Sequence, residues 1–132
     1  MRLRISEGVL RAALWATAAA NLAVATVLLF PQSAPGQLAG LPQAPSPLLL
    51  RAMLALMIAL FGLAYAWLAR RAAVDRVLLG FAAIGKAGAF VLVLGLWIAG
   101  QADPRFALLM GGDLLFAALF AGWLLGAERR AP

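Results

Sequence analysis

A chain of 132 residues that is 65% hydrophobic and 12% charged, with a mean hydropathy of +0.97, has too few polar side chains to cover a water-soluble globule. Soluble domains are nearer half apolar and a quarter charged. The net charge of +6 does not mark a nucleic-acid binder, because the arginines flank apolar segments, where they act as topology signals and contacts for anionic lipid. The absence of cysteine and histidine excludes disulfides, thiolate chemistry, haem ligation through either residue and the usual zinc and copper sites. Neither a metal nor a cofactor is expected.

Four apolar segments follow in chain order, at about 8–30, 48–69, 77–99 and 106–127. Each is roughly 22 residues, and about 20 residues of helix cross a ~30 Å hydrocarbon core. Backbone groups in lipid must be paired internally, which makes these segments helices, and a barrel of alternating short strands is not supported. Met1-Arg2-Leu3-Arg4 looks like the basic start of a signal peptide. The apolar run from Ala12 to Phe30 exceeds the ~7–15 residues such a signal uses, so a retained first helix is expected.

The first connector holds Pro31, Pro35, Pro42, Pro45 and Pro47 and no charge. It is expected to be extended or turn-rich, with Leu38 and Leu41 able to rest on the interface. The second, Arg70 to Arg76, is short and basic. In the third, Gly100 to Arg105, Asp103 reads as a helix cap and Pro104 as the first helical position. Short connectors predict an all-α, up-down-up-down bundle of four transmembrane helices, one integral membrane domain spanning 1–132.

Arg2, Arg4, Arg11, Arg70, Arg71, Arg76, Arg129 and Arg130 fall on one side, against Arg51 and Arg105 on the other. This asymmetry predicts a bacterial inner-membrane protein with both termini cytoplasmic. Trp67 and Trp123 fall near the inner interface and Trp97 near the outer one, whereas Trp15 is deeper, at a packing position. Small residues recur every four positions at Ala12-Ala16-Ala20, Ala55-Ala59 and Ala118-Gly122-Gly126. Such ridges let helix backbones approach closely.

Four polar side chains lie within the apolar segments: Asn21, Arg51, Lys86 and Asp113. From the rise per residue, Asn21 and Asp113 lie ~14 Å below the outer surface and Lys86 ~17 Å. Arg51 is near enough to its helix end to snorkel outward. Lys86 is the only lysine in the chain, and an ionisable group at that depth is by default a functional-site hypothesis. Asp113, on the next helix, is its natural partner. Helical side chains lean toward their own N-terminus, which in antiparallel helices pulls the two apart, and lysine's long stem opposes that lean. The set reads either as a staple between helices or as a binding site. Gly80, Gly85 and Gly88 near Lys86 and Gly111-Gly112 before Asp113 either leave room for a ligand or draw the helices together. Tyr65, Thr17 and Thr26 read as ordinary membrane-helix residues.

No nucleophile–base set is present, since Ser6, Ser33 and Ser46 lie outside the apolar segments. Of the carboxylates Glu7, Asp75, Asp103, Asp113 and Glu128, only Asp113 falls within one, so a two-carboxylate mechanism lacks its second member. No phosphate loop appears. An enzyme is therefore not expected.

The basic N-terminus, four short-looped helices, Gly85-Lys86 in the third and Gly112-Asp113-Leu114-Leu115-Phe116 in the fourth resemble small bacterial membrane proteins of the DoxX-like four-helix group. The resemblance implies a four-helix membrane fold and transfers no catalytic residue. Two functions are expected to compete. One is an accessory or structural subunit, with the bilayer and a larger membrane protein or a second copy as partners. The other is a binder or transporter of a small ion, quinone or amphiphile through Asn21, Lys86 and Asp113.

Overall fold

The computed structural model describes residues 5–128. Arg2, Arg4, Arg129 and Arg130, which enter the charge asymmetry, lie outside the described residues. The described residues form five helices: α1 (Glu7–Leu29), α2 (Ala34–Leu38), α3 (Leu48–Arg70), α4 (Arg76–Ile98) and α5 (Pro104–Glu128). Four of them are long and apolar enough to cross a membrane, as expected of a multi-pass membrane protein, and their bounds fall within two residues of the sequence reading.

Local chemistry fixes the ends. The Ser6 hydroxyl accepts from the Val9 amide at 3.2 Å, and Asp75 accepts from Leu78 at 3.0 Å, each satisfying an orphan amide of a first turn. α4 stops at Gly100, whose φ of +72° suits a residue without a Cβ. There the Gly100 and Gln101 amides return to Trp97 and Leu96 carbonyls. α5 opens with Pro104 as its first residue, behind Asp103, whose carboxylate accepts from the Arg105 amide at 2.8 Å.

The first connector is more ordered than its prolines suggested. Ser33 caps the one-turn α2, and Gly40, with φ of +72°, ends it. Leu41 is buried beneath it while Leu38 stays exposed.

The helices associate as two pairs. α1 packs along α3, α4 packs along α5, and a narrower α1–α5 contact joins the pairs. Arg11 at the start of α1 bonds to carbonyls at the end of α3, and Arg51 at the start of α3 bonds to Leu29 at the end of α1, so α1 and α3 run antiparallel. Arg76 at the start of α4 donates to the Leu124 carbonyl near the end of α5, giving the second pair the same arrangement. Although only a short connector separates them, α3 and α4 meet mainly through side chains, such as the stacked Phe61 and Phe81 rings.

The core cluster comprises Leu10, Ala13, Leu14 and Ala18 of α1, Tyr65, Leu68 and Ala69 of α3, Leu79, Ala82 and Ala83 of α4, and Phe120 of α5. All of these positions belong to the half of the bundle that contains Arg11.

The small-residue ridges behave differently from the spacing rule. Ala12, Ala16 and Ala20 face outward, as does Ala118, and Gly126 has open space around it. Ala55 is buried, and Gly122 meets Ile5. The α1–α3 pair approaches closely at Gly62, where an added Cβ would lie 3.1 Å from Asn21 Cβ and 3.2 Å from the Ala18 carbonyl oxygen.

Gly62→Leu is therefore expected to lower stability by about 1–3 kcal/mol through overpacking. Gly88→Ala, with nothing within 4 Å of the new methyl, should leave stability unchanged or raise it by up to ~1 kcal/mol. Thermal unfolding in one detergent checks both. A pH effect is expected at the α5 cap. Hydrogen bonds from Arg105, reinforced by its charge, hold the Asp103 carboxyl below its usual range. A lowered folded pKa stabilises above the unfolded value and is lost as pH falls through the folded one. The Tm difference between wild type and Asp103→Asn should thus shrink as pH drops below about 3.9.

Candidate functional site

Three of the four polar residues singled out by the sequence come together. Lys86 Nζ lies 2.6 Å from Asp113 Oδ1 and 3.3 Å from Asn21 Oδ1. The Asn21 amide nitrogen, in turn, donates to the Ile58 carbonyl at 3.2 Å. One hydrogen-bonded chain therefore runs from α3 through α1 and α4 to α5, touching every long helix. Lysine supplies the reach: α1 and α4 do not pack along their backbones, yet the four-carbon stem spans that gap and also overrides the opposing lean of α4 and α5.

The lysine is enclosed. Its side chain is 5% exposed, and its ammonium sits 5.3 Å from the centre of the Tyr65 ring and 5.6 Å from that of Phe116. Both distances fall within the range at which a ring face attracts a cation. A carboxylate, an amide oxygen and two ring faces thus replace the water that an ammonium loses at this depth, which is the condition for keeping a buried charge.

Asp113 is placed differently. Its side chain is 25% exposed, and among the described residues its second oxygen accepts no hydrogen bond. Gly111 and Gly112 precede it with no heavy atom within 4 Å of where a Cβ would stand, and the same holds for Gly85 and Gly88 on α4. Gly85, Gly88 and Gly112 are exposed, so these glycines do not draw helices together. Thr17, one helical turn before Asn21, is fully buried with its hydroxyl unpartnered.

Arg51 does not join the set. One of its terminal nitrogens donates to the Leu29 carbonyl at 3.0 Å, and its Nε is buried without a partner. It borders a separate cleft of about 440 Å³ formed by the end of α1 and the first connector. There it satisfies a carbonyl at the helix C-terminus, a favourable place for a cation.

Tyr65 and Phe116 were missed as site residues. Phe116 lies three residues after Asp113, on the same helical face, and that spacing was a usable signal. Nothing comparable in the sequence marks Tyr65, which acts through its ring. Thr26 does bond back to the Leu22 carbonyl at 2.9 Å, the ordinary role expected of it, while Thr17 does not.

Comparison with known protein families, curated proteins and solved structures found no match to the chain. The DoxX-like resemblance accordingly rests on the sequence pattern alone.

If the chain acts as a staple, Lys86→Met should strand the Asp113 carboxylate and cost about 3 kcal/mol, as does loss of one partner of a buried pair. Lys86→Met combined with Asp113→Leu should recover most of that loss. Unfolding in mild detergent reads the cycle, and a double variant no more stable than the worse single would contradict the staple.

Proposed function

We propose that this protein is a structural or accessory subunit of a membrane complex, held in the bacterial cytoplasmic membrane with both termini inside. The observation that carries this reading is the saturation of Lys86. With a carboxylate, an amide and two rings around it and 5% of its side chain exposed, the lysine is used up in holding helices together. The outward-facing Ala12, Ala16 and Ala20 ridge supports the same reading, since small residues on a lipid-facing helix permit close approach by another helix. Among the described residues, no set of catalytic groups surrounds the buried pair.

A second reading, a binder of a small ion, quinone or amphiphile, is favoured by Asp113. Its side chain is 25% exposed and, among the described residues, its second oxygen accepts no hydrogen bond, which leaves one acceptor within reach of a ligand.

Native mass spectrometry of the protein released gently from its own membrane separates the two. A second polypeptide ejected at fixed stoichiometry is the expected result for a subunit. A small molecule that is present in wild type and lost in correctly folded Asp113→Asn would instead establish the binder.

A further inference from the structure

At the end of the bundle where α1 begins, Trp15, Leu63, Ala66, Trp67, Arg70 and Arg71 line a cleft of about 620 Å³ on the outer surface of the α1–α3 pair. It is unrelated to the buried lysine. Leu63, Ala66, Trp67 and Arg70 follow one another at three- and four-residue steps, so they lie on one face of α3. Over that length, ~10 Å of helix, the wall changes from aliphatic through aromatic to basic. Trp15, the deep tryptophan expected to pack inside, is 49% exposed and forms the opposite wall.

The two arginines are unengaged, and the structure gives a reason. The last carbonyls of a helix attract nearby cations, and those of α3 would be the natural acceptors for Arg70 and Arg71. Arg11 occupies this end instead, donating to the Ala69 carbonyl in the last turn at 2.6 Å and to the Arg71 and Ala72 carbonyls just beyond it at 2.8 Å and 3.1 Å. Glu7 neutralises Arg11 in turn, at 2.6 Å. Within the described residues, neither the Arg70 nor the Arg71 guanidinium has a hydrogen bond or ion pair, and both side chains are exposed. Among the described residues, neither indole N–H in the cleft has an acceptor.

We propose that this cleft binds one anionic phospholipid, its phosphate held by Arg70 and Arg71 and its upper acyl chain laid between Trp15 and Trp67 against Leu63 and Ala66. Guanidinium suits phosphate because its planar donors match two oxygens at once. Tryptophan suits the region between, where an apolar ring and a polar N–H meet the boundary of hydrocarbon and headgroup. The graded wall matches an amphiphile better than it matches a free anion, which would use the arginines and leave the aromatic half of the cleft unfilled.

The test is native mass spectrometry of the full chain in a mild non-ionic detergent, with equal amounts of phosphatidylglycerol and phosphatidylcholine carrying identical acyl chains. Two basic residues at a membrane surface are together worth about a thirtyfold preference, so wild type should retain phosphatidylglycerol by about that factor. Arg70→Gln with Arg71→Gln should bring the two lipids near parity, and Arg70→Lys with Arg71→Lys should keep much of the preference. Arg105→Gln, which removes one charge at the opposite end of the bundle, should leave the lipid preference unchanged. Parity in wild type, or a preference that survives the double glutamine substitution, would overturn the proposal. Displacement of the lipid by millimolar inorganic phosphate would overturn it in favour of a soluble anion. Because neither arginine supports the fold, an unchanged thermal midpoint is expected in the double variant.

Discussion

In a bilayer, an ammonium at mid-depth must find its solvation inside the protein, and this fold is arranged around meeting that need for Lys86. Lipid tails are as apolar as leucine, so helices gain little from hiding leucines against one another. A directional polar contact can then decide how helices sit even when its net energy is small. Here the lysine draws a carboxylate from α5 and an amide from α1, while that amide holds a carbonyl of α3. Two helix pairs with a narrow mutual contact become one body through that chain.

The surrounding packing reinforces the division. The core cluster fills one half of the bundle, and the polar chain sits at its edge. Close approach in the α1–α3 pair depends on Gly62 against Asn21 and Ala18, which brings Asn21 near enough to share in solvating the lysine. Glycines beside Lys86 and Asp113 have nothing within 4 Å of an added Cβ, so one residue type serves opposite purposes on different helices. Which purpose applies depends on what the neighbouring helix presents.

The four spans were legible because the bilayer imposes length and apolarity directly on sequence, and Asp103-Pro104 marked the start of α5 through cap chemistry alone. The Lys86–Asp113–Asn21 association was legible from depth, since three polar groups at one level in lipid have few partners other than one another. What was hidden was which faces meet. Lipid-facing and helix-facing leucines are chemically alike, so hydropathy could not show that α1 pairs with α3, that Ala12, Ala16 and Ala20 point outward, or that Tyr65 lies beside the lysine. Gly62 carried no distinguishing neighbour, and α2 was obscured because prolines are read as breakers although Pro35 here occupies the first turn of a helix.

The pairing of α4 with α5 bears on how the chain enters the membrane during synthesis. Lys86 is made 27 residues before its carboxylate partner, and a lysine at a helix centre opposes insertion by about 2.5–3.5 kcal/mol. The leucines, valines, isoleucines and phenylalanines of α4 favour entry, so the segment can be admitted on hydrophobicity while its charge is still uncompensated. Asp113 arrives with the returning arm of the same hairpin. Asn21, already in place on α1, is available to the ammonium first, so the amide can hold the lysine before the carboxylate exists.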